Sequence, residues 1–480
     1  MTRLTAGLVL AALCAVPLLA RAQADDDALR RIRAEGLERS QVAATFAMLT
    51  TTIGPRLTAS PAHRRAIEWT QAELRKYGLA NVHAEPWAFG RGWTLERFSI
   101  EMLSPRYLPL IGYPKAWSPS TKGRIAGTPL WLPEATAERL GRPAEDLSGR
   151  IVMTAPQQSF LVREDRAVAG GDFRPPAAAR SRLNRDEQQA LASALHAAGA
   201  AVTLEPNYGQ EGTVFVTGRD AGDEVPPGVV LAAEHYNLVA RLLEAGEDVR
   251  LAVDVQVRFN DDDPNAYNVV AEIPGTDPDI GGEIVMAGAH LDSWHSAAGA
   301  TDNADGVATL LEAMRILKAA GVQPRRTIRV ALWGGEEQGL LGSRAYVAEH
   351  LTGPDKQAER ERYSVYFNLD NGYPPITGFY LEGHEAVQPI VSRSLEPLRD
   401  LGATIATTDH IGATDHLSFL AVGIPGFQAV QNYVDYDTRT HHTNMDTPER
   451  VADADLRQAS VVMATVLYEA AMRDEKLPRK

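Results

Sequence analysis

The sequence predicts an α/β fold, a helix-flanked and mostly parallel mixed sheet interrupted by a β-rich insert. Three observations predict it. From about 265 onward, strand-length apolar runs alternate with helical-period segments, the pattern that builds a parallel sheet covered by helices. Between 115 and 257 the texture changes to short strand-like pieces punctuated by Gly and Pro. And 480 residues with 44% hydrophobic content exceed one ordinary core, so two domains are expected.

The chain opens with Arg3, the apolar run "LTAGLVLAALCAVPLLA" and the small-x-small tripeptide Ala20-Arg21-Ala22, which together read as a secretory signal over residues 1–22. The run contains Pro17 and is short of the roughly 20 residues a spanning helix needs, so no stable membrane insertion is expected after signal removal. Export places the protein in the periplasm or outside the cell. The only cysteine, Cys14, lies in that signal behind Leu13, where a lipoprotein site wants Gly, Ala or Ser. The mature chain therefore carries no thiol, and any metal must be held by His, Asp and Glu. Losing Arg3 and Arg21 takes the formal charge from -14 to -16, which argues against nucleic acid and anionic membranes as partners.

Residues 28 to 80 show helical periodicity with charges, as in "SPAHRRAIEWTQAELRKYGL", where Ser60 caps, Pro61 occupies the first turn and Gly78 closes the helix. The insert follows, with "GRIVMTA", "AAVTLE", "GTVFVTG" and "LAVDVQVRF" as strand pieces and a polar Arg-rich loop near 163 to 185. After the turn-rich "NDDDPN" come "NVVAEI", "EIVMAGA", a helix over 305–320, "TIRVALWG", a helix over 339–350, "SVYFNLD" and a helix over 384–400. No fixed-period repeat or low-complexity tract interrupts this order.

In such sheets, sites form beyond the carboxyl ends of the strands. Chemistry-bearing residues fall at those ends. "EIVMAGA" delivers His290 and Asp292, "TIRVALWG" delivers Glu336 and Glu337, and "SVYFNLD" delivers Asp370. A lone histidine at a strand end is more often simply hydrogen-bonded, and an exposed acidic pair is usually a solvated turn. Here they coincide. Asp292, two residues after His290, is placed to accept the second imidazole N–H. Asp302 sits in "GATDNADG", where small residues let a carboxylate and backbone approach an ion and where one carboxylate can bridge two; the bland role of helix N-cap fits Asp305 better. In "WGGEEQG" one acid can bind metal while its neighbour stays free to take a proton. "HHTNMDTPER" adds His441 and His442 ahead of a helix capped by Asp446 or Thr447. Two imidazoles and three carboxylates without a thiolate suit a pair of zinc ions sharing one water better than magnesium or manganese.

With these residues in place, the chain resembles the di-zinc exopeptidase family of bacterial leucyl aminopeptidases and plasma glutamate carboxypeptidase. The likeness is carried by "IGPRLTASPAHRRAIEW", "HLDSW", "GATDNADG", "EEQGLLGS", "TDHLSF" and "HHTNMDT" in order, and is stronger toward the carboxypeptidase. It implies the zinc exopeptidase fold, with residues 23–114 as the N-terminal part of the peptidase domain, 115–257 as a protease-associated insert and 258–480 as the catalytic domain. It also implies two Zn2+ ions, one held by His290 and Asp370, the other by Glu337 and His442, with Asp302 bridging and Glu336 as the catalytic base. His442 rather than His441 precedes the Thr of the family's "HT..DT" motif, which leaves His441 to touch the developing oxyanion. Asp302–Asn303 is similar to a position where the family often has a cis peptide. Asp415 resembles an acid supporting the ligands, and His416 a pocket residue.

The implied activity is hydrolysis of a peptide bond beside a free terminus, first as an aminopeptidase and alternatively as a dipeptidase or carboxypeptidase. Two rival readings are a glutaminyl cyclase, which shares a "DH..F" segment, and a non-catalytic binding protein that has lost its ligands. All five ligand positions and the base position carry competent residues, which favours the enzyme. The sequence leaves oligomeric state open, a homodimer included.

Overall fold

The computed structural model describes residues 25–140, 146–158, 165–166 and 183–480. The expected signal over 1–22, with Cys14, lies outside the described residues, as does most of the Arg-rich loop near 163 to 185.

The largest sheet has eight strands, in the order Ala80–Ala88, Asn265–Ile273, Thr327–Trp333, Ile284–His290, Tyr363–Asn368, Gly426–Asn432, Tyr373–Tyr380, Ile405–Thr407. Thr327–Trp333, Ile284–His290, Tyr363–Asn368 and Gly426–Asn432 run parallel, while antiparallel pairs flank them on both sides and the last pair, Tyr373–Tyr380 with Ile405–Thr407, is parallel again, so the expected mixed sheet is borne out. The central strand Ile284–His290 is buried along its whole length, as a strand covered on both faces must be. Gly288 is required there: a Cβ would lie 2.3 Å from the Tyr366 hydroxyl and 2.5 Å from the Trp333 indole nitrogen. Helix Asp305–Ala319 is buried over most of its length between the sheet and the final helix Asp453–Met472, and their Val, Leu, Ile and Met side chains make the main core.

The helix Pro61–Lys76 begins as expected, with the Ser60 hydroxyl accepting from His63 N at 3.2 Å and Pro61 in the first turn, and Gly78 follows it at φ +78°. Two caps do not form as expected. Ala304, not Asp305, stands at the cap of Asp305–Ala319, and Asp305 turns its own carboxylate onto Gly306 N at 2.7 Å. Thr447 stands only at the start of the single 3-10 turn Pro448–Arg450, without a side-chain cap bond, while the last α-helix starts at Asp453 and Asp446 accepts instead from Thr301. The helix expected over 384–400 is reduced to Gln388–Leu395 between two tighter turns, because Pro397 has no N–H to continue it.

Residues 92–260 form two further sheets. Gly92–Ser104 and Arg250–Asn260 pair antiparallel along nearly their full lengths, flanked by Leu108–Pro109 and Ile125–Gly127. The second sheet runs Gly112–Pro114, Gly228–Leu231, Val202–Pro206, Ile151–Met153, Leu130–Trp131. Ile100, Met102, Val253, Val255, Val202 and Val229 meet in one cluster between them. The first of these sheets includes Gly92–Ser104, because the alternation in "GWTLERFSIEMLS" matches that of its partner strand. The strand piece "GTVFVTG" joins neither sheet; Phe215 instead bridges Thr443, in the loop after Gly426–Asn432.

Candidate metal centre and active site

Three neighbouring strands, Thr327–Trp333, Ile284–His290 and Tyr363–Asn368, deliver polar residues at or just beyond their carboxyl ends. His290 ends Ile284–His290, and its Nε2 lies 3.0 Å from Asp302 Oδ1, 3.4 Å from Asp370 Oδ1 and 4.0 Å from Glu336 Oε2. Its Nδ1 faces the Asp292 carbonyl at 3.0 Å and the Asp292 carboxylate at 3.7 Å. On the other side of Asp302, His442 Nε2 lies 3.3 Å from Oδ2 and 2.9 Å from Glu337 Oε2. The two oxygens of Asp302 therefore face two separate groups. Donor atoms of His290, Asp302 and Asp370 fall within 4.8 Å of one another, and so do those of Asp302, His441 and His442.

The chain shapes Asp302 by an irregular turn over Ala300–Ala304, where Asp302 and Asn303 leave helical geometry and the peptide between them is cis. Gly306 lets this turn sit against the neighbouring strand end: a Cβ there would meet Asn303 Oδ1 at 2.1 Å and Leu369 O at 2.9 Å. Asp292 is buried and organises three partners at once, accepting from Thr58 Oγ1 at 2.8 Å, Glu336 N at 3.2 Å and Glu337 N at 3.3 Å. The paired acids are thus tethered by their backbone to the residue behind His290.

Burial and mutual repulsion dominate the electrostatics. Glu336 is held well above the usual carboxylate range, first by burial and then by Asp370, Asp415 and Glu337, with His290 opposing. Glu337 is raised likewise by burial and by Asp302. Burial also pushes Asp415 up to about 7, although Ser343 donates a short hydrogen bond to it. His290 shows the converse: burial opposes its charge, but Asp370, Glu336, Asp292 and Asp302 raise it well above the ordinary imidazole value.

A metal fits these residues on their own chemistry. Glu337 Oε1 is buried without a hydrogen-bond donor, and Asp302 Oδ2 and Glu337 Oε2 face only the His442 imidazole, a costly state that a cation relieves. They line a cavity of about 10 Å³ with Trp294, Thr443, Asp446 and His442, room for about one water-sized sphere and too small for a side chain. The donors are imidazole and carboxylate, a set that zinc accepts.

All six residues expected as ligands or base converge. Asp415 lies close enough to raise Glu336 by its charge. His441 stacks on His442 with ring centroids 3.7 Å apart. His416 is buried with its Nε2 3.3 Å from Glu382 Oε1, and does not line the small cavity. Several contributors escaped sequence reasoning. Arg56 is fully buried and donates to the carbonyls of Leu291, Ala298 and Gly299, at 2.8, 2.8 and 2.9 Å, besides Leu49 and Gly54, so it shapes the loop between His290 and Asp302. Burial lowers its guanidinium to about 10, with Asp446 and Asp292 opposing. Arg56 and Thr58 lie in "IGPRLT", which marked the resemblance but carried no assigned role. Asp446 binds Thr301 and is raised by burial to about 7. Arg166, from the insert, pairs with Asp437 and reaches Asn371 Oδ1 at 3.0 Å, beside Asp370.

Residues 268–467 match the model of Peptidase family M28. Over 439 residues the chain is 28% identical to carboxypeptidase Q of Bos taurus, an alignment covering 90% of this chain and 86% of that protein. Over 204 residues it is 30% identical to aminopeptidase YwaD of Bacillus subtilis (strain 168), covering 40% of this chain and 42% of that one. Among solved structures, a peptidase M28 precursor from Shewanella amazonensis SB2B shares the fold with a TM-score of 0.69 at 24% identity, over 95% of this chain and 99% of the other. The matched segment contains every carboxylate and imidazole of the cluster. The chain is a metallo-exopeptidase, and its residues 268–467 match peptidase family M28.

Proposed function

We propose that the protein is an exported exopeptidase working with two zinc ions, one held by His290 and Asp370, the other by Glu337 and His442, with Asp302 shared. The observation that supports this most directly is the division of Asp302, with Oδ1 3.0 Å from His290 and Oδ2 3.3 Å from His442. Bound zinc supplies polarisation of the scissile carbonyl and makes water more acidic. The chain supplies the proton transfers. Glu336 takes a proton from the attacking water as its oxygen bonds to the carbonyl carbon, and returns that proton to the amine nitrogen as the C–N bond breaks. Asp292 holds the Glu336 and Glu337 amides, so base and ligand keep a fixed separation.

Recognition of an amino terminus is the first reading of specificity. Carboxylates crowd the cluster, and Arg166 is committed to Asp437 and Asn371, so a substrate ammonium meets favourable charge. A dipeptidase or carboxypeptidase is the second reading, favoured by the relative aligned over 90% of the chain, which is named carboxypeptidase Q. The region 115–257 serves in either case as a protease-associated domain beside the cleft. Export rests on residues 1–22, and no helix among the described residues is long and apolar enough to cross a membrane. The deciding experiment incubates the zinc-loaded mature protein with an unblocked tetrapeptide of four different residues and follows products by mass. Loss of the first residue supports an aminopeptidase and loss of the last a carboxypeptidase; no cleavage of tetrapeptides or dipeptides, with or without zinc, refutes both.

A further inference from the structure

His442 adopts φ +61°, a left-handed conformation rare for a residue with a Cβ, which persists only where surroundings over-determine it. The surroundings that do so come from the insert. Val216 N donates to His442 O at 3.1 Å, Val214 N to Asn444 Oδ1 at 2.7 Å, and Asn444 N returns a bond to Val214 O at 3.3 Å. Phe215, between them, forms a bridge with Thr443 and sets its ring 5.3 Å from that of His442. Val214 and Val216 are buried, and Asn207 anchors the segment from behind by accepting from Phe215 N at 3.1 Å. A stretch whose sequence reads as a strand thus spends its edge on the loop that carries His442, in place of either insert sheet.

We propose that Thr213–Val216 is a positioning element for His442, so that the insert, beyond flanking the cleft, sets how tightly the Glu337–His442 half of the centre holds its ion. This rests on the two-ion reading above. Loosening the clamp frees His442 to leave its left-handed conformation, which withdraws Nε2 from Glu337 and Asp302 while His290 and Asp370 stay in place. The two half-sites therefore respond unequally, as expected when a partner orienting one ligand is lost.

The test compares the full chain with Phe215→Ala, Phe215→Tyr and Asn444→Ala. Zinc stoichiometry of dialysed protein is measured by elemental analysis, zinc affinity by competition with a chromophoric chelator, and kcat and KM at limiting and saturating zinc. Wild type is expected to bind two ions. Phe215→Ala and Asn444→Ala should weaken one of them about 10- to 100-fold and leave the other unchanged. Phe215→Tyr, which keeps the ring, should restore wild-type affinity, and saturating zinc should return kcat of the alanine variants with KM unchanged. Two ions of wild-type affinity in both alanine variants overturn the clamp, and a raised KM with unaltered zinc binding assigns Phe215 to substrate contact instead. A wild type that binds fewer than two ions overturns the two-ion reading, and this inference with it.

Discussion

Asp292→Asn isolates what the residue behind His290 contributes. The carboxylate is fully buried and accepts three hydrogen bonds, Oδ1 from Glu336 N and Oδ2 from Glu337 N and Thr58 Oγ1. Asparagine is the same size but has one acceptor oxygen. Placed at the Oδ2 position, that oxygen keeps Glu337 N and Thr58, and the new NH2 then points at Glu336 N. The least costly orientation therefore sets two buried donors, Glu336 N–H and the new amide N–H, against each other without an acceptor, at about 1–3 kcal/mol of stability for each. The same change removes a negative charge beside His290 Nδ1 and slackens the tether on both acids, so zinc affinity should fall about 10- to 100-fold. Urea denaturation of the metal-free protein reads the first effect and chelator competition the second. Unchanged stability together with unchanged zinc affinity would refute the assignment of Asp292 as the hub of the site.

Glu336→Gln should keep the wild-type zinc content yet lose at least about 10²-fold in kcat, because no proton acceptor replaces the carboxylate; wild-type turnover removes Glu336 as base. His441→Ala should lower kcat about 10²-fold if its imidazole meets the developing oxyanion, with zinc content unchanged; a mild effect sinks that role, and loss of an ion makes His441 a ligand. Burial holds His63 and His295 at about 4, below the ordinary 6.5, so the folded state keeps them neutral. Their folded values are depressed, so the unfolded chain binds more protons between those limits: stability is full above about 6.5 and falls as pH drops to about 4, by about 3 kcal/mol for each. His295→Gln should flatten the loss of urea midpoint between pH 7 and 4, and an unaltered pH slope contradicts this.

The sheet and the metal cluster were legible because their signals are local. Strand-end positions of His290, Glu336, Glu337 and Asp370 can be read by counting along apolar runs, and the spacing from His290 to Asp302 lies within one connection. What escaped depends on contacts between distant segments. Arg56 reads as an ordinary surface cation until the loop 291–299 wraps its guanidinium with carbonyls. Asp446 reads as a helix cap because the competing partner, Thr301, lies 145 residues away. Gly92–Ser104 shows a related limit: two-residue alternation declares a strand, but only pairing with Arg250–Asn260 declares its sheet. "GTVFVTG" shows the same limit from the other side, a strand pattern whose partner is the His442 loop.

A centre built this way carries more buried acid than its own cations balance. Asp292, Asp302, Asp305, Glu336, Asp370, Asp415 and Asp446 are all buried, with Arg56 and His290 as the positive groups among them. The metal-free protein answers by keeping protons. Burial and neighbouring carboxylates raise Glu336, Glu337 and Asp305 well above their ordinary values, and bring Asp415 and Asp446 to about 7. A divalent ion supplies the same charge compensation, so at neutral pH zinc must displace protons as it binds. The sign follows: zinc affinity should rise as pH increases from about 6 to 8, and calorimetric titration at pH 7 in buffers of different ionisation enthalpy should show net proton release to the buffer. His290 adds to that release, because its raised imidazole must become neutral to offer Nε2 to a metal. Binding without proton release, or an affinity flat across that range, would mean that the cluster already stands ionised without metal. The burial that raises these carboxylates would then not govern how the centre fills.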